Sequence, residues 1–262
     1  MSEPILLHFD ESVAFVTFNR PERLNALDLS MVKSFRDVVK HLASRGDVRA
    51  VVLRGAGAGF VSGGDIRLFH GDRETAAATI GQLIDLFHEA TSGLQRLTAP
   101  VVASVHGAAA GGGFSLALGA DLRIAADTAT FIPGYLRLGT SPDGGSTFFL
   151  PRLVGPSRAL EIFLLGTTLT AADALRLGMV NRVVPAADLE RETARLAAAI
   201  ARGAMPAVAR AKALLIGRDV EALERHLEAE KEAFLACVRS HDFEEGVAAF
   251  LAKRPPRFIG EK

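Results

Sequence analysis

The chain has 262 residues, 30 Lys and Arg against 30 Asp and Glu, and a formal net charge of zero. Hydrophobic residues make up 49% of it, enough for one large domain with a substantial core. The charge balance argues against nucleic acid as the main partner, and the one cysteine, Cys237, excludes an internal disulfide framework.

The opening MSEPILLHFDE lacks the basic-then-apolar pattern of a signal peptide. No window approaches 18 uninterrupted apolar residues, so no membrane-spanning helix is expected, and a reducing cytoplasm fits the cysteine usage. Val13 to Phe18 is β-branched and aromatic, which predicts a strand. Asp28 opens a helix whose Met31, Val32, Phe35, Val38, Val39 and Leu42 share one face. Arg49 to Arg54 reads as a short buried strand. Ile80, Leu83, Ile84, Phe87, Leu94 and Leu97 mark a second helix, which Pro100 stops before a strand over Val101 to Val105. A buried helix over FSLALGA and a strand from Leu122 to Ala126 follow. From Pro156 onward the pattern reads helical: 157–165, 171–177, 187–201, 206–216 and 220–238, then a last helix near Asp242 with Glu245 placed for a capping box. Cys237 falls in the apolar register and is expected as a buried, inert thiol. Alternating strands and helices followed by helices alone predict an α/β fold with a helical C-terminal third.

Nucleotide and nucleophile motifs fail. A G-x-G-x-x-G run from Gly55 or Gly57 would need glycine where Phe60 or Ser62 stands. There is no G-x-x-x-x-G-K-[ST] and no G-x-S-x-G, and the histidines form no H-x-x-x-H pair. His106 reads as a hydrogen-bonded structural histidine. Two glycine-rich turns each follow an apolar strand: Gly59 to Ile66 (GFVSGGDI) and His106 to Leu116 (HGAAAGGGFSL). The second leads into a helix, whose first N–H groups are unpaired and carry partial positive charge. One N–H from each turn, aimed at a common point, would make an oxyanion hole; tight packing turns are the alternative.

The strings FNRPERLNALD, FVSGGDI, HGAAAGGGFSLALGADLRIA, LGTSPDGGSTFFLPRLVG, AADALRLGMVNRVV and DFEEGVAAFLAKRPPRF together resemble the crotonase family, also called enoyl-CoA hydratase/isomerase. The resemblance spans nearly the whole chain. It implies a ClpP-like β-β-α spiral core over 1–195 and a helical trimerisation and lid region over 196–262, in a homotrimer or homohexamer. It also implies an acyl-CoA thioester substrate, with coenzyme A as part of the substrate and no separate cofactor, metal, nucleic acid or membrane. The thioester carbonyl would sit between the N–H groups of Gly64 and Gly112. Arg23, Leu24, Ala26 and the stretch Ser62, Gly63, Gly64, Asp65 and Ile66 would hold the CoA, with Asp65 stabilising its loop. Phe250, Lys253 and Phe258 would cover the CoA of the same or a neighbouring subunit. The segment Phe69 to Thr79 would shape the acyl pocket.

The chain departs from the family's hydratases at both water-holding glutamates. Their positions carry Ser115 and Tyr135, and neither group at its ordinary pKa replaces a carboxylate base at neutral pH. Both are expected to line the pocket. Asp143 stands instead in SPDGG, an ordinary turn sequence by itself. In isomerase-type members an acid occupies this position, and a 1,3-proton shift needs one base to take a proton from one carbon and return it to another. The leading expectation is an enoyl-CoA isomerase using Asp143. A hydratase, hydrolase or dehalogenase that uses the same aspartate stays open, as does a member that only binds acyl-CoA.

Overall fold

The computed structural model describes residues 3–69, 73–216 and 220–260. Residues 70–72, within the expected pocket-shaping segment, lie outside the described residues. Strands β1 (Ile5–Asp10) and β2 (Val13–Phe18) form an antiparallel hairpin, and Leu27 and Asp28 then lead into α1 (Leu29–Ala43). Asp28 caps α1 by accepting from Met31 N–H at 2.8 Å, as an N-cap aspartate should. The apolar stripe read from the sequence faces inward: Met31, Val32, Phe35, Val39 and Leu42 are all buried. Strand β3 (Ala50–Gly55) pairs parallel to β2, and α2 (Arg73–Arg96) returns the chain to β4 (Val101–Val105).

From β4 the chain makes a short excursion, β5 (Ala108–Ala110), then α3 (Gly112–Gly119), before β6 (Leu122–Ala126) joins the main sheet. β7 (Thr130–Ile132), α4 (Ser146–Val154), α5 (Pro156–Leu165), β8 (Leu169–Thr170), α6 (Ala171–Arg176) and β9 (Arg182–Val184) follow. The chain closes with α7 (Leu189–Ala201), α8 (Met205–Ile216), α9 (Val220–Val238) and α10 (His241–Leu251). The main sheet has the order β1-β2-β3-β4-β6-β9 and is parallel after its first hairpin. A smaller sheet, β5-β7-β8, is extended by a bridge between Val61 and Ala109. In the middle of the chain, β4, β5 and α3 give one strand to the large sheet, one short strand to the small sheet and a helix, and β6 and β7 repeat the pairing of a long and a short strand.

Burial explains the composition of the central strands. β4 is buried along its whole length, and Ala50 to Leu53 of β3 are fully enclosed, so these strands read as continuous apolar runs. One of the polar residues in the core, Asn25, is fully buried and saturated. Its amide donates to the carbonyls of Ala56, Gly59 and Phe60 at 2.9 to 3.0 Å, and its oxygen accepts from Arg20 N–H. Asn25 thereby welds the 20–28 loop to the first glycine turn, in a left-handed conformation that asparagine tolerates (φ 57°).

Several sequence expectations need correction. The region after Pro156 is not purely helical: β8 and β9 lie within it, and β9 is the outermost strand of the main sheet. Both are two or three residues long, too short to impose a period-2 pattern. The boundary drawn at residues 195/196 falls inside α7, a continuous helix packed on β3, β4 and β6. The last helix is capped by Ser240, which accepts from Phe243 N–H at 3.1 Å. Asp242 and Glu245 hold the C-terminal tail instead. Asp242 accepts from the N–H groups of Ile259 and Gly260, and Glu245 from Arg254 and the N–H of Arg257. Cys237 is half-buried rather than enclosed.

Candidate active site

The two glycine turns meet at one wall of a cavity of about 380 Å³. Packing forces glycine there: a Cβ on Gly113 would lie 1.9 Å from the Val61 carbonyl oxygen, so no larger residue lets the turns approach this closely. Leu27 forms a parallel bridge to Gly64, accepting from Asp65 N–H and donating to the Gly63 carbonyl. That pattern spends the groups on either side of Gly64 and turns Gly64's own N–H away from Leu27. Gly112 is the first residue of α3, so its N–H has no acceptor within the helix. Both glycines line the cavity, and neither N–H has a hydrogen-bond partner among the described residues. The N-terminal end of α3 adds its partial positive charge at the same place.

The cavity is also lined by apolar side chains, among them Ile80, Leu83, Ile84 and Phe87 of α2, Phe234 of α9 and Phe250 of α10. Asp143 is the one carboxylate among the described residues that line it. It is only 7% exposed, and burial pushes its carboxyl up to about 6, against the opposing effect of a hydrogen bond from Tyr135. The Tyr135 hydroxyl donates to Asp143 Oδ1 at 2.7 Å, and Ser115 Oγ lies 2.6 Å from the Tyr135 oxygen and 2.8 Å from the Asp143 carbonyl oxygen. Burial and the neighbouring Asp143 charge hold the Tyr135 hydroxyl well above its ordinary pKa, so it stays a neutral donor.

The turn that presents Asp143 is pinned from behind. Gly144 N–H donates to His88 Nε2 of α2 at 3.1 Å, and burial pushes His88 down to about 4, which leaves the ring neutral and able to accept. Glu230 of α9 accepts from Gly145 N–H at 2.7 Å, from Thr147 N–H at 3.0 Å and from the Thr147 hydroxyl. Glu230 thus caps the N-terminus of α4, where a carboxylate is favoured by both the free N–H groups and the helix dipole. Burial nevertheless pushes its carboxyl up to about 7. At Gly144 (φ 67°) a Cβ would come within 2.5 Å of the Phe87 ring, so the third residue of P-D-G-G has no room for a side chain.

The expected site residues do not all lie together. Ser62, Gly63, Gly64, Ile66, Gly112, Tyr135, Asp143 and Phe250 line the cavity together. Asp65 does not line the cavity; the hydrogen bond it accepts from Arg67, with the nearby Arg20, lowers its pKa from the ordinary carboxylate value. Arg23, Leu24 and Ala26 lie on the adjoining loop, tied to the glycine turn through Ser62 N–H to the Leu24 carbonyl, but not in the cavity wall. Ser115 is fully buried and does not line the cavity; it stands behind Tyr135. Lys253 is exposed past the end of α10, and Phe258 is likewise exposed. His106 is hydrogen-bonded to the Gly57 carbonyl. His88 and Glu230 were not legible from the sequence.

The family model for enoyl-CoA hydratase/isomerase matches residues 8–261. The chain belongs to the enoyl-CoA hydratase/isomerase family. Among curated relatives, it is 36% identical to the 1,2-epoxyphenylacetyl-CoA isomerase of Escherichia coli K12 over the full length of both chains. It is also 36% identical to a probable enoyl-CoA hydratase of Rhodobacter capsulatus, with 98% of each chain covered. Among solved structures, an enoyl-CoA hydratase from Mycobacterium avium subsp. paratuberculosis superposes with a TM-score of 0.89 at 32% identity, covering 98% of this chain and 99% of that one. The fold is therefore the crotonase spiral with its helical C-terminal region, as the motifs implied.

For an enzyme of this family the buried acids have a stability consequence. Asp143 and Glu230 bind protons more tightly in the folded chain than at their ordinary values of 3.8 and 4.5. At these two groups the folded state therefore holds more protons than the unfolded state between about pH 4 and 7, and their contribution to stability falls as pH rises through that window, while His88, pushed down to about 4, contributes in the opposite direction. Asp143→Asn removes one of the two contributions. The variant is expected to match the wild type at pH 4 and to exceed it at pH 8 by up to about 3 kcal/mol, the equivalent of a two-unit shift. Urea unfolding at the two pH values checks this; equal differences at both would contradict it.

Proposed function

We propose that the chain is an enoyl-CoA isomerase that moves a double bond by a proton shuttle on Asp143. The observation that carries the reading is that Asp143 is the one carboxylate among the described residues lining a largely apolar cavity, which is lined as well by two glycines whose N–H groups have no partner among those residues. Asp143 would take a proton from the carbon next to the thioester carbonyl. The C–H electron pair moves into the carbonyl system, and the resulting enolate oxygen accepts hydrogen bonds from Gly64 and Gly112. The same carboxyl then returns its proton two carbons further along, and the double bond settles between the other pair of atoms. No other reactant is consumed.

Electrostatics favour this division of labour. A carboxylate at its ordinary pKa is a weak base for carbon acids, and burial strengthens it. Two backbone donors in a low-dielectric wall stabilise negative charge only where it develops, and each such donor is worth roughly 3–4 kcal/mol of barrier. The apolar walls suit an uncharged acyl chain. Support for isomerisation over hydration comes from Ser115 and Tyr135: the positions where the family's hydratases carry glutamates hold hydroxyls here, committed to each other and to Asp143. The relative named an isomerase is consistent with the same choice.

Assembly as a homotrimer or homohexamer belongs to the same proposal. Leu164 and Leu165 on α5 and Leu214 and Leu215 on α8 are 63–85% exposed, apolar surface that a subunit contact would cover. Light scattering at micromolar concentration should give a mass of at least three chains, and a monomer would contradict it.

The catalytic reading is tested with a 3-enoyl-CoA and the matching 2-enoyl-CoA as substrates. Interconversion of the two is expected, with kcat/KM rising as pH increases through about 6, because Asp143 must be ionised to act. Asp143→Asn should lower kcat by about 10²–10⁴ while leaving KM nearly unchanged. Wild-type turnover in the variant, or hydration of the 2-enoyl-CoA without interconversion, would sink the proposal.

A further inference from the structure

The proton shuttle leaves one question open: a carboxylate has two oxygens, and a shuttle works best when one of them stays aimed along the acyl chain. The structure gives the two oxygens of Asp143 different surroundings. Oδ1 accepts from the Tyr135 hydroxyl at 2.7 Å. Oδ2 has no partner among the described residues, and it is not among their sealed, unpartnered polar atoms, so it keeps access to the cavity that Asp143 lines.

Tyr135 is itself held. Its ring is buried, and its backbone carbonyl accepts from Thr140 Oγ1 at 3.1 Å. With the Tyr135 hydrogen given to Oδ1, the Ser115 hydrogen lies between the Tyr135 oxygen at 2.6 Å and the Asp143 carbonyl at 2.8 Å. Ser115 is anchored in the first turn of α3, the helix that also supplies Gly112. The base and one oxyanion donor are therefore tied to one rigid element through two hydroxyls.

We propose that Tyr135, oriented by Ser115, is the positioning residue of this site, clamping Oδ1 of Asp143 so that Oδ2 alone faces the acyl chain and both accepts and returns the proton. In the forward step a C–H bond breaks, an Oδ2–H bond forms and the electron pair enters the enolate; in the return step Oδ2–H breaks and a new C–H forms. The clamp rests on the isomerase reading for its use, though not for its existence.

The clamp also sets the pH at which the base is ready. A hydroxyl donating to a carboxylate favours the ionised form and offsets part of the cost of burial. The other titratable groups around Asp143 are His88 of α2, neutral behind Gly144, and Glu230 of α9 behind Gly145; Arg137 lines the same cavity. None of these donates to the Asp143 carboxyl, so Tyr135 is the group whose removal should move it.

The test is Tyr135→Phe, which keeps the ring and removes the donor. The Asp143 carboxyl is titrated by carbon-13 NMR in substrate-free protein labelled at aspartate Cγ, with Asp143→Asn assigning the signal. The titration midpoint is expected to rise by about one unit or more. In parallel, the acid limb of kcat/KM for the 3-enoyl-CoA should move up by the same amount, and kcat at its plateau should fall by about tenfold or more with KM little changed. Ser115→Ala serves as the second variant, should Tyr135→Phe fold poorly, with a smaller shift in the same direction. A midpoint unmoved in both variants overturns the clamp. A shifted midpoint in a protein that turns over no enoyl-CoA would keep the clamp and overturn the isomerase reading instead.

Discussion

The charge on Asp143 is a burden to the folded chain, and much of the architecture around the cavity serves to carry it. A carboxylate taken out of water prefers to be neutral, and a neutral carboxyl is no base. The fold holds the balance near the middle of the physiological range. Apolar walls from α2, α9 and α10 raise the proton affinity, one hydroxyl donor lowers it, and the result lies at about 6. A group so placed is mostly ionised at neutral pH yet returns a proton at modest cost.

Three parts of the fold converge on that residue. The spiral core brings two glycine turns together and leaves Gly64 and Gly112 N–H groups unspent. Helix α2 contributes both the apolar wall and His88, which receives Gly144 N–H. Helix α9, from the C-terminal region, contributes Glu230, whose carboxyl accepts from the N–H groups at the buried N-terminal end of α4. The turn that presents Asp143 is thus fixed by groups 56 and 85 residues away in sequence from the glycines they hold. Loss of any one anchor would loosen the aim of Asp143 without touching its chemistry, which makes remote substitutions in α9 a route to altered activity.

The sequence carried the parts of this account that depend on local rules. Gly111 to Gly113 before an apolar helix, and Gly63-Gly64 after a strand, announce close backbone approach, because only glycine survives the packing distances seen at Gly113. Asp143 stood out because it was a lone charge in an otherwise uncharged stretch. The sequence also shows Ser115 and Tyr135 where carboxylates would stand; Tyr135 lines the cavity as expected, whereas Ser115 lies behind it. Their hydrogen bonds depend on how α3, the 135–138 turn and the P-D-G-G turn pack, which no spacing in the chain reveals. Glu230 and His88 were invisible for a related reason. Each lies in an ordinary amphipathic helix, and their partners are backbone N–H groups and, for Glu230, one threonine hydroxyl, which leave no signature in the spacing of side chains. The misplaced capping box at Asp242 shows the converse failure: the right residue types at the right spacing, spent on the C-terminal tail instead.

The central claim is geometric, and a crystal structure with a saturated acyl-CoA bound tests it most directly. The account predicts the thioester oxygen within hydrogen-bonding distance, about 2.7–3.1 Å, of both Gly64 N and Gly112 N. It also predicts Asp143 Oδ2 facing the second to fourth acyl carbons from one side, with Oδ1 still bonded to Tyr135. A thioester seated elsewhere, or an acyl chain whose reacting carbons lie out of reach of Asp143, would contradict it.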